Sequence, residues 1–285
     1  MARLTHSLER ATVLDGPAKA YAKWVRSTIP RGPLKDAISG TWLGHALHPV
    51  LTDVPIGAWT SATVLDLIGG RDARSGADRL VAIGVVAAVP TAVTGVSEWA
   101  DSELNNAPVR RIGAIHALAN VAALGLYGAS LAARLRGDRA RGVALGLAGA
   151  GTLVFSGRLG GHLSFARGIG VDQAAFEPPI EDWTDLAAGA DVREDRPVGA
   201  QAGTRAVVLV RRGGRVHALD SRCVHRGGPL PEGELVDGCI ECPWHGSRFR
   251  LDDGSVERGP AAYPQPVFEV RERDGRVEVR FPAEP

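Results

Sequence analysis

The residues best suited to chemistry in this 285-residue chain lie between Cys223 and His245. Two short motifs occur there, Cys223-Val-His225-Arg-Gly-Gly-Pro-Leu and Cys242-Pro-Trp-His245-Gly-Ser. Each offers one thiolate and one imidazole. Four such donors suit an iron–sulfur cluster whose ligation is split between sulfur and nitrogen. They also suit a tetrahedral zinc ion, for which Cys239 would be a further candidate through Cys239-Ile-Glu-Cys242. If that stretch is extended, Cys239 and Cys242 point to opposite faces, and Cys239 becomes a small apolar core residue. Glycines and prolines flank both motifs and let the backbone approach bound sulfur closely.

These motifs sit within a longer pattern. From Trp183 the chain runs through Val207-Val-Leu-Val and Val216-His-Ala-Leu to the two motifs, the second continuing into Arg248-Phe249. It then gives Asp253-Gly, Arg258-Gly-Pro-Ala, Val267-Phe-Glu-Val and Val277-Glu-Val-Arg. The whole stretch 183–285 resembles a small Rieske ferredoxin domain. The resemblance implies an all-β domain with a 2Fe-2S cluster, Cys223 and Cys242 holding one iron and His225 and His245 the other. It also implies that Ser247 matches a serine whose hydroxyl donates to a cluster sulfur in high-potential members. Phe249 stands where those members carry a tyrosine hydroxyl. Members of the cytochrome bc complexes have two further cysteines joined in a disulfide, and here Gly228 and Trp244 occupy those positions. The resemblance is therefore to the disulfide-free, ferredoxin-like kind, with a reduction potential below that of the bc-type proteins.

The elements that must carry these loops are legible as short alternating runs. Ala206 to Arg211 with Arg215 to Leu219, and Val267 to Arg271 with Arg276 to Phe281, read as hairpins around Gly213-Gly214 and Asp274-Gly275. His217 falls on one of these strands and reads as structural.

Upstream the composition changes. Residues 1–40 are polar and basic, with Leu14, Ala18, Tyr21, Val25 and Ile29 at helical spacing until Pro30-Arg-Gly-Pro33 breaks the pattern. No apolar run there has the form of a signal peptide. Within 41–167, four apolar stretches (Pro49 to Ile68, Leu80 to Ser97, Ile112 to Ala133 and Gly142 to Gly157) approach the length that crosses a bilayer. They are rich in small residues that allow close helix packing in lipid. Gly40-Thr-Trp-Leu-Gly-His-Ala-Leu-His-Pro-Val-Leu-Thr-Asp-Val-Pro-Ile-Gly resembles the signature of an uncharacterised family of bacterial four-helix membrane proteins, some fused to Rieske domains. The expected architecture is thus multi-domain: an N-terminal segment (1–40), a four-helix transmembrane bundle (41–167), a linker (168–182) and an all-β Rieske domain (183–285).

If four helices cross in turn, His45, His48, His116 and His162 share one face with the Rieske domain. Histidines in membrane helices are costly unless paired or used. His48, His116 and His162 are therefore candidates for a b-type haem or a quinone site, against the plainer reading of helix-capping histidines. The arginine distribution leans toward an external Rieske domain. Cluster assembly in the cytosol and the missing disulfide favour a cytosolic one, on the bacterial cytoplasmic membrane.

A net charge of +1 gives no reason to expect a nucleic-acid partner. No histidine follows His245, so the two-histidine, one-carboxylate iron of a self-contained Rieske oxygenase is not expected. No glycine-rich fingerprint for a flavin or nicotinamide opens a βαβ unit either. The function expected is one-electron transfer between the cluster and a partner protein or quinone, with a redox sensor or anchoring module as the alternative.

Overall fold

The computed structural model describes residues 2–104 and 106–282. These form seven α-helices: α1 (Ala2–Glu9), α2 (Asp15–Thr28), α3 (Pro33–Ser39), α4 (Leu47–Ile68), α5 (Arg74–Ser102), α6 (Ala107–Leu135) and α7 (Arg139–Gly161) among the described residues. Contacts divide the chain into two units: Met1–Ile29 with Leu47–Ile169, and Pro30–Ala46 with Gly170–Pro285.

In the helical unit, the four crossing helices that the sequence predicts are only partly found. Among the described residues, three helices are long and apolar enough to cross a bilayer: α5, α6, and α7 with its continuation to Ala166. α4, which carries His48, Asp53, Asp66, two prolines and three threonines, is not among them. Large apolar side chains on the three candidates, among them Val86, Leu118, Val121 and Val154, face outward and find no protein cover. Such a surface is stable against hydrocarbon and not against water.

The four long helices pack in cyclic order, α4 and α6 each lying against both α5 and α7. α2 forms as its periodicity predicts, burying Ala18, Ala22 and Val25 against Trp99 and Ala100 of α5. Charged pairs tie it down. Arg111 donates from Nε (2.9 Å) and Nη2 (2.6 Å) to the two carboxylate oxygens of Asp15, and Arg26 donates to the buried Glu103 at 3.0 Å. At the far end of α6 the buried Arg134 pairs with Asp66 and Asp78, and Arg139 bonds the same two carboxylates at 2.7 and 2.9 Å. Every charge in that network has a partner, the condition under which buried ions are tolerated.

The second unit is antiparallel β. Its strands are β1 (Thr184–Ala188), β2 (Val198–Ala202), β3 (Arg205–Arg212), β4 (Arg215–Asp220), β5 (Glu234–Val236), β6 (Cys239–Glu241), β7 (Arg248–Arg250), β8 (Val256–Arg258), β9 (Val267–Arg273) and β10 (Arg276–Arg280). They form a six-stranded sheet, β1-β10-β9-β4-β3-β2, and a four-stranded sheet, β5-β6-β7-β8. Both expected hairpins are present. Arg212 pairs with Arg215 across Gly213-Gly214, and Arg273 with Arg276 across Asp274-Gly275. All four turn residues have positive φ, the requirement of a turn that matches strand twist.

The uninterrupted run Val207-Val-Leu-Val reflects a strand buried on both faces. Val207 and Leu209 join Val216, Ala218, Phe268, Val277 and Val279 on one side of the six-stranded sheet. Val208 and Val210 face the other way, into a core with Leu219, Leu230, Ile240, Phe249 and the thiols Cys223 and Cys242. From Gly170 onward, the stretch expected as linker belongs to this unit: Ala174 enters the core and the Gln173 amide donates to the Val224 carbonyl at 3.0 Å.

Candidate functional site

Two loops of matched design carry the four donor residues. One follows β4 and the other joins β6 to β7. In the first, the Gly227 amide donates to the Cys223 carbonyl (2.7 Å) and the Cys223 amide to the Gly228 carbonyl (2.9 Å). In the second, the Gly246 amide donates to the Cys242 carbonyl (3.0 Å) and the Cys242 amide to the Ser247 carbonyl (2.8 Å). Gly227 (φ 73°) and Gly246 (φ 77°) occupy the left-handed conformation that closes each turn, which a side chain would strain.

The turns aim backbone N–H groups at the sulfurs. Those of His225 and Arg226 donate to Cys223, and those of Trp244 and His245 to Cys242. The two thiols also hydrogen-bond to each other. The hydrogen bond from Cys223 lowers the Cys242 thiol to about 7, against the opposing effect of burial, with help from the Trp244 and His245 amides. Cys223, the donor, is pushed up by that same bond and by its complete burial. The loops approach so closely that a Cβ on Gly228 would lie 2.7 Å from the Cys242 sulfur.

The imidazoles form the other half of the site. The His225 and His245 rings lie edge to face with centroids 5.0 Å apart. Burial, followed by the charges of Arg226, His245 and Lys35, pushes His225 well below the usual histidine range, so its ring is neutral. Its Nδ1 is buried and makes no hydrogen bond to any described residue. A buried lone pair left unbonded is costly unless something else takes it. The donor set therefore divides into a thiol pair and an imidazole pair, as a two-iron cluster with mixed ligands requires. Among the described residues, no group of three or more His, Cys, Asp or Glu side chains is arranged around a single metal ion. Cys239 lies outside this arrangement: it is buried on β6, opposite Val236 and Arg250.

Ser247 is fully buried, and its Oγ accepts from the Ala261 amide at 3.0 Å, which leaves its own proton for another acceptor. Phe249 is an apolar core residue beside both cysteines.

Four side chains at this site gave no signal in the sequence. The segment Pro30–Ala46 packs on the donor loops of the β unit. Arg31 donates to the Trp244 carbonyl at 3.3 Å across a separation of 213 residues, and its charge acts on Cys242. Lys35 is buried near His225. Thr41 donates to the Ala261 carbonyl at 3.0 Å, so Ala261 is held between Thr41 and Ser247. The fourth is Gln265. Its Nε2 donates to the Asp220 (2.9 Å) and Arg222 (2.8 Å) carbonyls, and its Oε1 accepts from the Val224 amide (3.1 Å).

Comparison with known proteins agrees with this geometry. Residues 182–269 match the Rieske [2Fe-2S] domain family. The chain is 33% identical over 103 residues to the anthranilate 1,2-dioxygenase ferredoxin subunit of Burkholderia cepacia, a match covering 36% of this chain and 95% of that protein. The chain belongs to the Rieske family. Its Rieske unit is also similar to ferredoxin CarAc of Metapseudomonas resinovorans, with 32% identity over 99 residues, 34% of this chain and 92% of that protein. Apoptosis-inducing factor 3 of Mus musculus is 38% identical over 74 residues, 26% of this chain and 12% of that one. Residues 44–173 match the family described as predicted membrane protein (DUF2231). The fusion expected from the sequence is therefore present.

The helical histidines separate into two groups. His162 Nε2 bonds Glu9 at 2.8 Å, with Arg167 on the same carboxylate, so it belongs to a polar cluster with α1. His48 and His116 instead lie between helices. His48 Nδ1 is 3.0 Å from the Thr91 carbonyl oxygen, and His116 Nδ1 is 2.9 Å from that of Ser156. His45 Nδ1 lies 3.0 Å from its neighbour's carbonyl, that of Ala46.

Proposed function

We propose that this chain is a membrane-attached one-electron carrier. Cys223 and Cys242 hold one iron of a 2Fe-2S cluster and His225 and His245 the other. The observation that carries the reading is the pairing of two thiols and two imidazoles by matched loops, with the His225 Nδ1 lone pair unbonded. When bound, the cluster supplies a one-electron couple. The protein's own part is to fix the four donors, to aim four backbone N–H groups at the cysteine sulfurs, and to place Arg31 and Lys35 where their charge favours the reduced, more negative state. Ser247 adds a hydroxyl donor and Phe249 withholds a second, which sets the potential below that of relatives with both.

The relatives named above as a dioxygenase ferredoxin subunit and a ferredoxin support a redox protein as one partner. Within the helical unit, a haem or a quinone held by histidines would be the other. The unit is multi-pass in the bacterial cytoplasmic membrane, with the Rieske unit on the cytosolic side.

Low-temperature EPR of the detergent-purified full chain, oxidised and then dithionite-reduced, tests the assignment. A Rieske signal in the reduced protein is expected, and Ser247→Ala should keep that signal while lowering the midpoint potential. Bound zinc without iron would overturn the reading.

A further inference from the structure

The helical unit is built twice. His48 and Trp59 of α4 recur with the same spacing as His116 and Tyr127 of α6, and Gly84, Thr91 and Gly95 of α5 recur as Gly149, Ser156 and Gly160 of α7. The contacts recur with the residues. Each histidine bonds through Nδ1 to the carbonyl of the matching hydroxyl residue, Thr91 or Ser156. A Cβ on Gly95 would come within 2.5 Å of the His48 ring, and one on Gly160 within 3.1 Å of the His116 ring. Trp59 lies against Gly84 as Tyr127 lies against Gly149, where added Cβ atoms would meet the rings at 2.3 and 2.9 Å.

The two hairpins are therefore related by a pseudo-twofold axis. Trp59 and Tyr127 stack across it, ring centroids 4.1 Å apart and planes 6° from parallel. α4 and α6 are the diagonal pair of the ring of helices. About three turns from the stack along the same two helices, His48 and His116 occupy equivalent places and lie within electrostatic reach of each other.

The hydrogen bonds decide what this pair can hold. A carbonyl oxygen only accepts, so each Nδ1 carries the proton and each Nε2 the lone pair. The hydroxyls nearby agree. Thr94 Oγ1, 3.2 Å from His48 Nδ1, donates its proton to the Thr91 carbonyl, and Ser156 Oγ, 3.0 Å from His116 Nδ1, reaches the His116 carbonyl. Asn120 Nδ2 donates to His116 Nε2 at 3.1 Å. An imidazole oriented through Nδ1–H to a carbonyl is the arrangement of a metal-ligating histidine. An oxidised quinone presents only acceptor oxygens and finds no donor on either Nε2. Haem iron accepts two neutral imidazole lone pairs, the one on His116 Nε2 being held in this structure by the Asn120 amide, which would give way to the iron.

We propose that His48 and His116 are the two axial ligands of a b-type haem on the pseudo-twofold axis of the helical unit. This rests on the electron-carrier reading and gives the cluster a second redox centre in the same chain. His162, bonded to Glu9, takes no part.

The full chain, produced with a haem precursor and purified in detergent, should contain b haem by its pyridine haemochrome spectrum. Near-infrared magnetic circular dichroism should show bis-imidazole ligation. His48→Ala and His116→Ala should each lose the haem while keeping the Rieske EPR signal, and His162→Gln should keep both. Should either alanine variant fail to fold, His48→Met and His116→Met serve instead, with the near-infrared band moving to the histidine–methionine position. A wild-type protein with a normal Rieske signal and no haem overturns the proposal and leaves the cluster assignment standing. So does haem retained in both alanine variants, or a quinol extracted from the wild type and lost from them. Loss of the Rieske signal with bis-imidazole haem present would count against the cluster assignment alone.

Discussion

Gln265→Leu should detach the first cluster loop from the β core. The Gln265 amide is 1% exposed and satisfies three backbone groups, the carbonyls of Asp220 and Arg222 and the amide of Val224, which bracket Cys223. Leucine fills much the same volume and bonds to none of them. With each buried backbone group left unsatisfied at a cost of about 1 to 1.5 kcal/mol, the variant should lose about 3 to 4 kcal/mol. At about 3 to 4 °C per kcal/mol for a unit of this size, the midpoint should fall by about 10 to 15 °C. The assay is thermal loss of the visible absorption of the cluster in the full-length protein, with circular dichroism of the β unit followed in parallel. Gln265→Glu discriminates further: it keeps the acceptor toward Val224 but turns a carboxylate toward two carbonyl oxygens, so it should be at least as damaging. A Gln265→Leu midpoint within about 3 °C of wild type would refute the argument that this side chain ties the loop to the β core.

Three further outcomes are expected. His225→Cys should convert the EPR spectrum toward that of an all-cysteine cluster, and an unchanged spectrum would remove His225 from the ligand set. Arg31→Gln should lower the midpoint potential with the EPR line shape preserved, because it withdraws a positive charge from beside Cys242; a potentiometric titration showing no shift would mean that solvent screens that charge. Asp15 gives a pH signature. The Arg111 guanidinium bonded to it holds its carboxyl at about 2, below the usual 3.8. The pair's contribution is therefore complete above about pH 4 and is lost as pH falls toward 2. Thermal midpoints of wild type and Asp15→Asn should differ at pH 6 and converge toward pH 2.

Much of the site was legible because its signals are local. The Cys-x-His and Cys-x-x-His spacings survive as two turns closed by Gly227 and Gly246 with the same backbone bonds. Gly213-Gly214 and Asp274-Gly275 determine two hairpins because few other pairs tolerate positive φ at both places. The unbroken apolar run of β3 likewise announces a strand buried on both sides. The membrane region was less legible. Apolar length predicts four crossing helices, but only α5, α6 and α7 are candidate spans among the described residues, and hydropathy alone does not tell a packed helix from a spanning one.

What the sequence determined by itself was the pair of thiol-and-imidazole motifs, the turn chemistry around them and the division into an apolar helical part and a β part. Each of these depends on residues within a few positions of one another, where backbone sterics and side-chain type suffice. The tertiary structure alone decided which distant residues meet. It brings Arg31 and Lys35 onto the cluster loops, closes Gln265 over the backbone around Cys223, pairs His162 with Glu9, and sets His48 and His116 in equivalent places about one axis. Those contacts follow from packing, in which the filling of space and the pairing of buried polar groups select partners that no local spacing encodes.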